Sequence, residues 1–255
     1  MRIHNMLSFK YNIFRRIKNI ICTNNIEIGK NNYISHEVVI GNNVKIGNNN
    51  NIYGNTIIHP NTVIGDNNYI YPGCQIGDIP SCSNRKSYEH DLELFKGITI
   101  GDNNYIHSYT IIQAGMYKKS FVGNNNKILG VARIGHDINI ENDTTIYPGV
   151  MIAGHVDVKT GSNIGMRAVI NQKIVIGQYS MVASNSTVIK HVFPYYINIK
   201  NVIHRLNTSK LPEYINVNDD AVLREIYYNG CTDREGINSY IKRDIDIYYR
   251  SINGK

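Results

Sequence analysis

Along most of the chain one apolar position returns every sixth residue. Ile28, Ile34, Ile40, Ile46, Ile52, Ile58, Ile64, Ile70 and Ile76 form an unbroken series, often followed by glycine, as at Gly29, Gly41, Gly47, Gly65 and Gly77. The phase resumes at Ile100, Ile106 and Ile112, then shifts by four residues and runs from Val122 to Val188 without a gap. Helical faces repeat every 3.6 residues and strand faces every 2, so a period of six belongs to neither alone. It predicts a parallel β-helix, in which each short strand buries its apolar residue only by stacking on its neighbours. Nine, three and twelve repeats make twenty-four hexads. With three six-residue sides to a turn these form about eight coils, a prism roughly 38 Å tall at ~4.8 Å per coil.

A polar series supports the 18-residue turn. Asn32, Asn50, Asn68, Asn104 and Asn126 each stand two residues before an apolar position of the same side, and stacked amides can hydrogen-bond along such a ladder. The hexads predict a β-helix over 26–195, preceded by a cap segment at 1–25 and followed by a helical region at 196–255. Residues 1–21 carry Lys10, Arg15, Arg16 and Lys18 among Leu7, Phe9, Phe14 and Ile17. They read as a basic amphipathic helix that either covers one end of the prism or touches a membrane surface. After Pro212, Asp219 to Asn229, stopped by Gly230, and Asp233 to Arg250 predict two helices.

The period breaks twice. Eighteen residues, approximately 78 to 97, leave the prism between Ile76 and Ile100, and four more leave between Ile112 and Val122. With the sides labelled A, B and C from Ile28, Ile34 and Ile40, both excursions follow a C side and so emerge from one corner in successive coils. Insertions in repeat arrays commonly gather at a binding face. Side C also carries the polar candidates. Two residues beyond each inward position stand Asp78, Ala114, His136, Gly154, Gln172 and Lys190, one per coil, and the next column holds Asp137, His155, Lys173 and His191. His136 and Gly154 are eighteen residues apart, hence about one strand spacing, close enough to act on opposite ends of one reacting group.

The hexads and these motifs resemble the hexapeptide-repeat acyltransferases, and in particular the UDP-N-acetylglucosamine O-acyltransferases of lipid A synthesis. The segments Ile134-Gly135-His136-Asp137 and Ile152-Ala153-Gly154-His155-Val156 match that family's His-Asp and Ala-Gly-His-Val stretches, within a likeness that covers about residues 26 to 190. The resemblance implies a left-handed prism of the all-β class, assembled as a homotrimer. It also implies a catalytic base at His136, an oxyanion-binding amide at Gly154 and a further site histidine at His155, with Gln172 at the family glutamine. Arg133 and Asn171 stand where the family has histidine, Met166 where it has glycine, and the adjacent arginine pair that binds nucleotide phosphate there has no equivalent. Asp78, Arg133, Asp137, His155, Asn171 and Gln172 are accordingly the expected substrate contacts.

Chemistry and composition fit this reading. A thioester has a good leaving group, whereas a sugar hydroxyl needs its proton removed, and histidine titrates near the right pH to accept it. A glycine N–H can then approach the tetrahedral oxyanion unobstructed. The expected enzyme moves an acyl group from acyl-CoA or acyl carrier protein to a nucleotide sugar, with no permanently bound cofactor and no metal. The formal charge of +7 suits phosphorylated or acidic partners. Arg85, Lys86, Lys118, Lys119, Lys190 and Arg205 are candidates to meet the donor's phosphates or an acidic carrier protein. Four cysteines, Cys22, Cys74, Cys82 and Cys231, lack paired spacing and read as reduced thiols. With no apolar run long enough to span a bilayer, a cytoplasmic location is expected. The alternatives are N-acylation of an amino sugar, a zinc hydratase like the γ-carbonic anhydrases, which needs three converging histidines, and a non-catalytic scaffold.

Overall fold

The computed structural model describes residues 25–80, 95–230 and 237–254. The cap segment expected at the N-terminus lies outside them. Each of the twenty-four hexads forms one short strand that ends on its apolar residue or runs one or two residues past it, and every third strand pairs in parallel with the one a coil below. Three sheets result. Face A runs from Ile28 to Ile176, face B from Ile34 to Val182 and face C from Ile40 to Val188, with eight hexad strands in each sheet. The prism is a left-handed parallel β-helix.

The inward residues form one column-built core: Ile52, Ile58, Ile70, Ile76, Ile106, Ile112, Val122 and Ile128 are all fully buried. Corners demand a left-handed residue about once per hexad. Asparagine fills most of them in the first coils, as at Asn31, Asn49 and Asn67, because its short polar side chain tolerates positive φ. The asparagine ladder forms on face B. Asn50 Oδ1 accepts from the backbone N–H of Asn68 at 2.8 Å, Asn68 Oδ1 from that of Asn104 at 2.9 Å, and Asn104 Oδ1 from that of Asn126 at 2.9 Å. Thr144 closes the series, its hydroxyl donating to Asn126 Oδ1 at 2.7 Å. Cys74 is buried in the wall, and burial pushes its thiol up to about 11.

Beyond Val188 the chain does not turn helical at once. Tyr196–Ile199 and Val202–Leu206 form a hairpin that extends face B, with Lys200 and Asn201 both at positive φ, the twist a two-residue hairpin turn requires. Helix α1 then spans Asp220–Asn229 and stops at Gly230 in the left-handed conformation (φ 68°), as the sequence implies. Helix α2 spans Ser239–Asn253, starting later and ending later than the residues 233 to 250 expected. Asn238 supplies its cap, accepting from the Tyr240 N–H at 2.9 Å. Both helices close on the end of the prism through Phe193, Tyr195, Tyr196, Leu223, Ile226, Ile241, Ile245 and Tyr248, with Val175 of face A in the same cluster. Buried Asp244 ties the layer together, accepting from the hydroxyls of Tyr195 at 2.8 Å and Tyr214 at 2.5 Å. No described helix is long and apolar enough to cross a membrane.

Candidate active site

The two excursions meet where the hexad count places them. Ile79 and Phe95, at the stems of the first, pack with Ala114 and Met116 of the second. Gly97 and Gly115 form a bridge that laces the second excursion to the strand returning from the first. The second excursion then folds over the C–A corner. The backbone N–H groups of Met116, Tyr117 and Lys118 all donate to Asp137 Oδ1, at 3.1, 2.9 and 2.8 Å. Three successive amides converging on one carboxylate oxygen make a nest for that charge.

The second oxygen of Asp137 faces the histidines. His136 Nδ1 lies 2.7 Å from Asp137 Oδ2, and His155 Nε2 stands 4.0 Å from the same atom. Asp137 is fully buried. Burial works against its ionisation, but the hydrogen bonds from His136, Lys118 and Tyr117 outweigh it and hold the carboxyl below its usual range. An ionised Asp137 fixes His136 with Nδ1 as the protonated nitrogen, so the basic lone pair is on Nε2. His155, on the next coil, packs edge-on against His136 with ring centroids 5.0 Å apart, and Tyr117 stacks on His155 at 5.8 Å.

Gly154 completes the cluster. A Cβ at this position would lie 2.6 Å from His136 Nε2 and 2.8 Å from Cε1, so the imidazole edge rests against the glycine. Its N–H has a distinctive place too. The sheet ladder is made by residues one before and one after each inward position, and the N–H two beyond is left out of it. On the A–B corner that donor is met by a side-chain oxygen of the next coil, as Asn48 N–H is by Asp66 Oδ1 at 2.6 Å and Asp66 N–H by Asp102 Oδ1 at 2.7 Å. Gly154 holds the equivalent place on face C, beside a nitrogen base.

No protein-family model matches the chain. An acyl-[acyl-carrier-protein]–UDP-N-acetylglucosamine O-acyltransferase of Nautilia profundicola is 35% identical over 103 residues, 39% of this chain and 40% of that protein. The same-named protein of Burkholderia lata is 27% identical over 149 residues, 54% of this chain and 56% of its own. The chain thus spans about half or less of the length of these curated relatives. Among solved structures, the UDP-N-acetylglucosamine acyltransferase of Bacteroides fragilis superposes with a TM-score of 0.76 at 26% identity, covering 91% of this chain and 96% of that one. That of Francisella novicida gives 0.67 at 26% identity, covering 90% and 87%. This chain resembles the UDP-N-acetylglucosamine O-acyltransferases in sequence and in fold.

The sequence-predicted residues divide into a tight group and an outer one. His136, Asp137, Gly154 and His155 are brought together. Gln172 follows one coil above Gly154 and is exposed, as is Asn171, whose Oδ1 accepts from the Gln172 N–H at 2.9 Å. Arg133 points outward on face C between Ile111 and Met151. Asp78 lies below the group but not in the straight column expected. It pairs with Gln113 rather than Ala114, because Gly77, at φ 80°, adds an extra residue to its strand as a bulge. Asp78 Oδ1 instead sits 3.8 Å from Nε2 of buried His59, whose imidazole burial holds below its ordinary pKa against the opposing pull of Asp78. Of the basic candidates, Lys118, Lys119, Lys190 and Arg205 are exposed, while Arg85 and Lys86 lie outside the described residues. Sequence reasoning missed Tyr117, and it expected Asp137 among the substrate contacts, whereas the structure buries its carboxylate against His136 and the loop amides. His136, Asp137 and His155 also bring ligand-capable atoms within 4.8 Å of one another.

Proposed function

We propose that this protein transfers an acyl group from acyl carrier protein or coenzyme A to a hydroxyl of UDP-N-acetylglucosamine. One observation carries the reading: an imidazole oriented by a buried, hydrogen-bonded carboxylate lies against a glycine on the neighbouring coil. His136 acts as the general base, its Nε2 taking the hydroxyl proton as the oxygen attacks the thioester carbonyl. Asp137 stabilises the imidazolium that forms. The Gly154 N–H receives the charge that develops on the carbonyl oxygen. The thiolate leaves, and the proton on His136 is delivered to it. His155, Gln172, Asn171, Arg133 and Asp78 contact the acceptor. The relatives' names, which print an acyl carrier protein and UDP-N-acetylglucosamine, support this choice of donor and acceptor.

The family resemblance further supports a homotrimer acting in the cytoplasm, which light scattering and cell fractionation test. Activity is tested by incubating the protein with acyl thioesters and UDP-N-acetylglucosamine and detecting products by mass. His136→Ala should reduce transfer by roughly 100-fold or more, the range of a lost general base. Activity within tenfold of wild type would reject His136 as the base, and no transfer to any nucleotide sugar would favour a scaffold.

A further inference from the structure

A cleft of about 380 Å³ opens beside the histidines, between the C–A corner of the prism and the end of α2. It falls in the size range of small-molecule sites. Its walls come from four parts of the chain: Lys118 of the second excursion, His155 and Asp157 one coil above His136, Lys173 on the coil after that, and Arg250 in the last turn of α2. These parts are far apart in sequence and meet because α2 is bedded on face A through Val175, Ile241 and Ile245.

The charge of this cleft is one-sided. Lys118, Lys173 and Arg250 are cations, and Asp157 is the one acidic lining residue. Lys118 Nζ stands 4.0 Å from Asp157 Oδ1, a pair at the outer limit of contact, while neither Lys173 nor Arg250 has an ion pair among the described residues. A helix end normally repels anions, but here the Gly254 N–H donates back to the carbonyls of Arg250 and Ile252 and blunts that end. Lys173 is tied directly to the active site, its N–H donating to the Gly154 carbonyl at 3.1 Å. An anion lying between Lys173 and Arg250 would therefore be adjacent to the histidine pair.

We infer that this cleft binds a phosphate group of a substrate. The inference rests on the acyl-transfer reading for the choice of phosphate, since both proposed substrates carry one: a diphosphate in the nucleotide sugar, a phosphodiester in the pantetheine arm of the donor. Guanidinium and ammonium groups converging from separate elements suit a multiply charged oxyanion, with Arg250 offering paired donors and the lysines point charges.

Binding is measured by calorimetry with UDP, inorganic pyrophosphate and 4′-phosphopantetheine as separate probes, on the wild-type protein, Lys173→Gln, Arg250→Gln and the double variant. All are surface changes, and unchanged thermal melts establish folding. Each single change should weaken the bound probe about tenfold, the double variant should abolish binding, Lys173→Arg should retain it, and affinity should fall as salt rises. Loss confined to UDP and pyrophosphate assigns the cleft to the acceptor; loss confined to phosphopantetheine assigns it to the donor. Failure of the wild-type protein to bind any probe, or equal binding by the double variant, overturns the inference. Salt-sensitive binding lost in the variants, with no acyl transfer detected, would leave the cleft standing and remove the reaction instead.

Discussion

Gly154 and His136 are eighteen residues apart in sequence and in van der Waals contact in the fold, with the place of a Gly154 Cβ only 2.6 Å from Nε2 of the imidazole. Gly154 is not in a left-handed conformation, so its backbone would accept alanine without strain. The constraint at this position is the neighbouring ring and not the chain itself. Gly154→Ala should therefore keep the fold, with a drop in melting temperature no larger than that of Asp137→Asn, while displacing His136 and cutting kcat by about 100-fold, the scale of losing a positioned base or one oxyanion donor. A variant that keeps both fold and activity would show that the contact has no catalytic use.

Asp137 gives a prediction with a pH signature. Its folded-state carboxyl is held below the ordinary 3.8 by hydrogen bonds from His136 and two loop amides, despite burial. A depressed carboxyl contributes stability that is present above its unfolded value and lost as pH falls through its folded value. Wild type should thus be more stable than Asp137→Asn at pH 7, and the gap should close below about pH 4. The Asn variant also loses the anion that fixes the His136 tautomer, so kcat at pH 7 should drop about 100-fold or more. Thermal melts across pH, beside rates at neutral pH, separate the two effects. A constant stability gap from pH 7 to pH 3 would refute the anchoring role.

Tyr117 is exposed at 76% yet stacks on His155. An aromatic pair of this kind contributes about 0.5–1.5 kcal/mol. Tyr117→Ala should raise KM for the nucleotide sugar two- to tenfold with little change in kcat, whereas Tyr117→Phe, which keeps the ring, should behave like wild type. Equal KM values for Tyr117→Ala and wild type would mean that the stack does not position His155 for substrate.

The repeat made the prism legible because one physical demand, an apolar residue pointing inward every sixth position, writes itself directly into the order of residues. The same arithmetic put His136 one coil below Gly154, since a solenoid converts sequence spacing into height. What it could not show is anything that depends on a break in the count. The bulge at Gly77 moves Asp78 by one residue relative to Ala114, and a hexad tally has no term for that. The nest of amides around Asp137 arises from a loop four residues longer than the repeat, whose course the repeat does not govern. Arg250 reaches the site because α2 packs back onto face A through Val175, Ile241 and Ile245, a tertiary contact that the pattern of the helix alone does not encode.

The asparagine ladder yields a stability prediction that turns on position along the prism. Asn68 is buried and fully engaged: its Nδ2 donates to Asn50 Oδ1 at 3.0 Å and to the Gly101 carbonyl at 2.9 Å, and its Oδ1 accepts from the Asn104 backbone N–H at 2.9 Å. Asn68→Ala would strand buried partners on both adjoining coils, each costing about 1–3 kcal/mol when left unsatisfied. Asn32 stands at the first coil, half-buried, and serves one neighbouring coil only: its Nδ2 donates to the Gly47 carbonyl at 2.8 Å and its Oδ1 accepts from the Asn50 N–H at 2.8 Å, both at the part-buried end of the column where water can take over. Its replacement by alanine should cost about 1 kcal/mol or less. Denaturant melts of the two variants should rank Asn68→Ala well below Asn32→Ala. Equal losses would mean that the stacked amides fill space without acting as a hydrogen-bonded column.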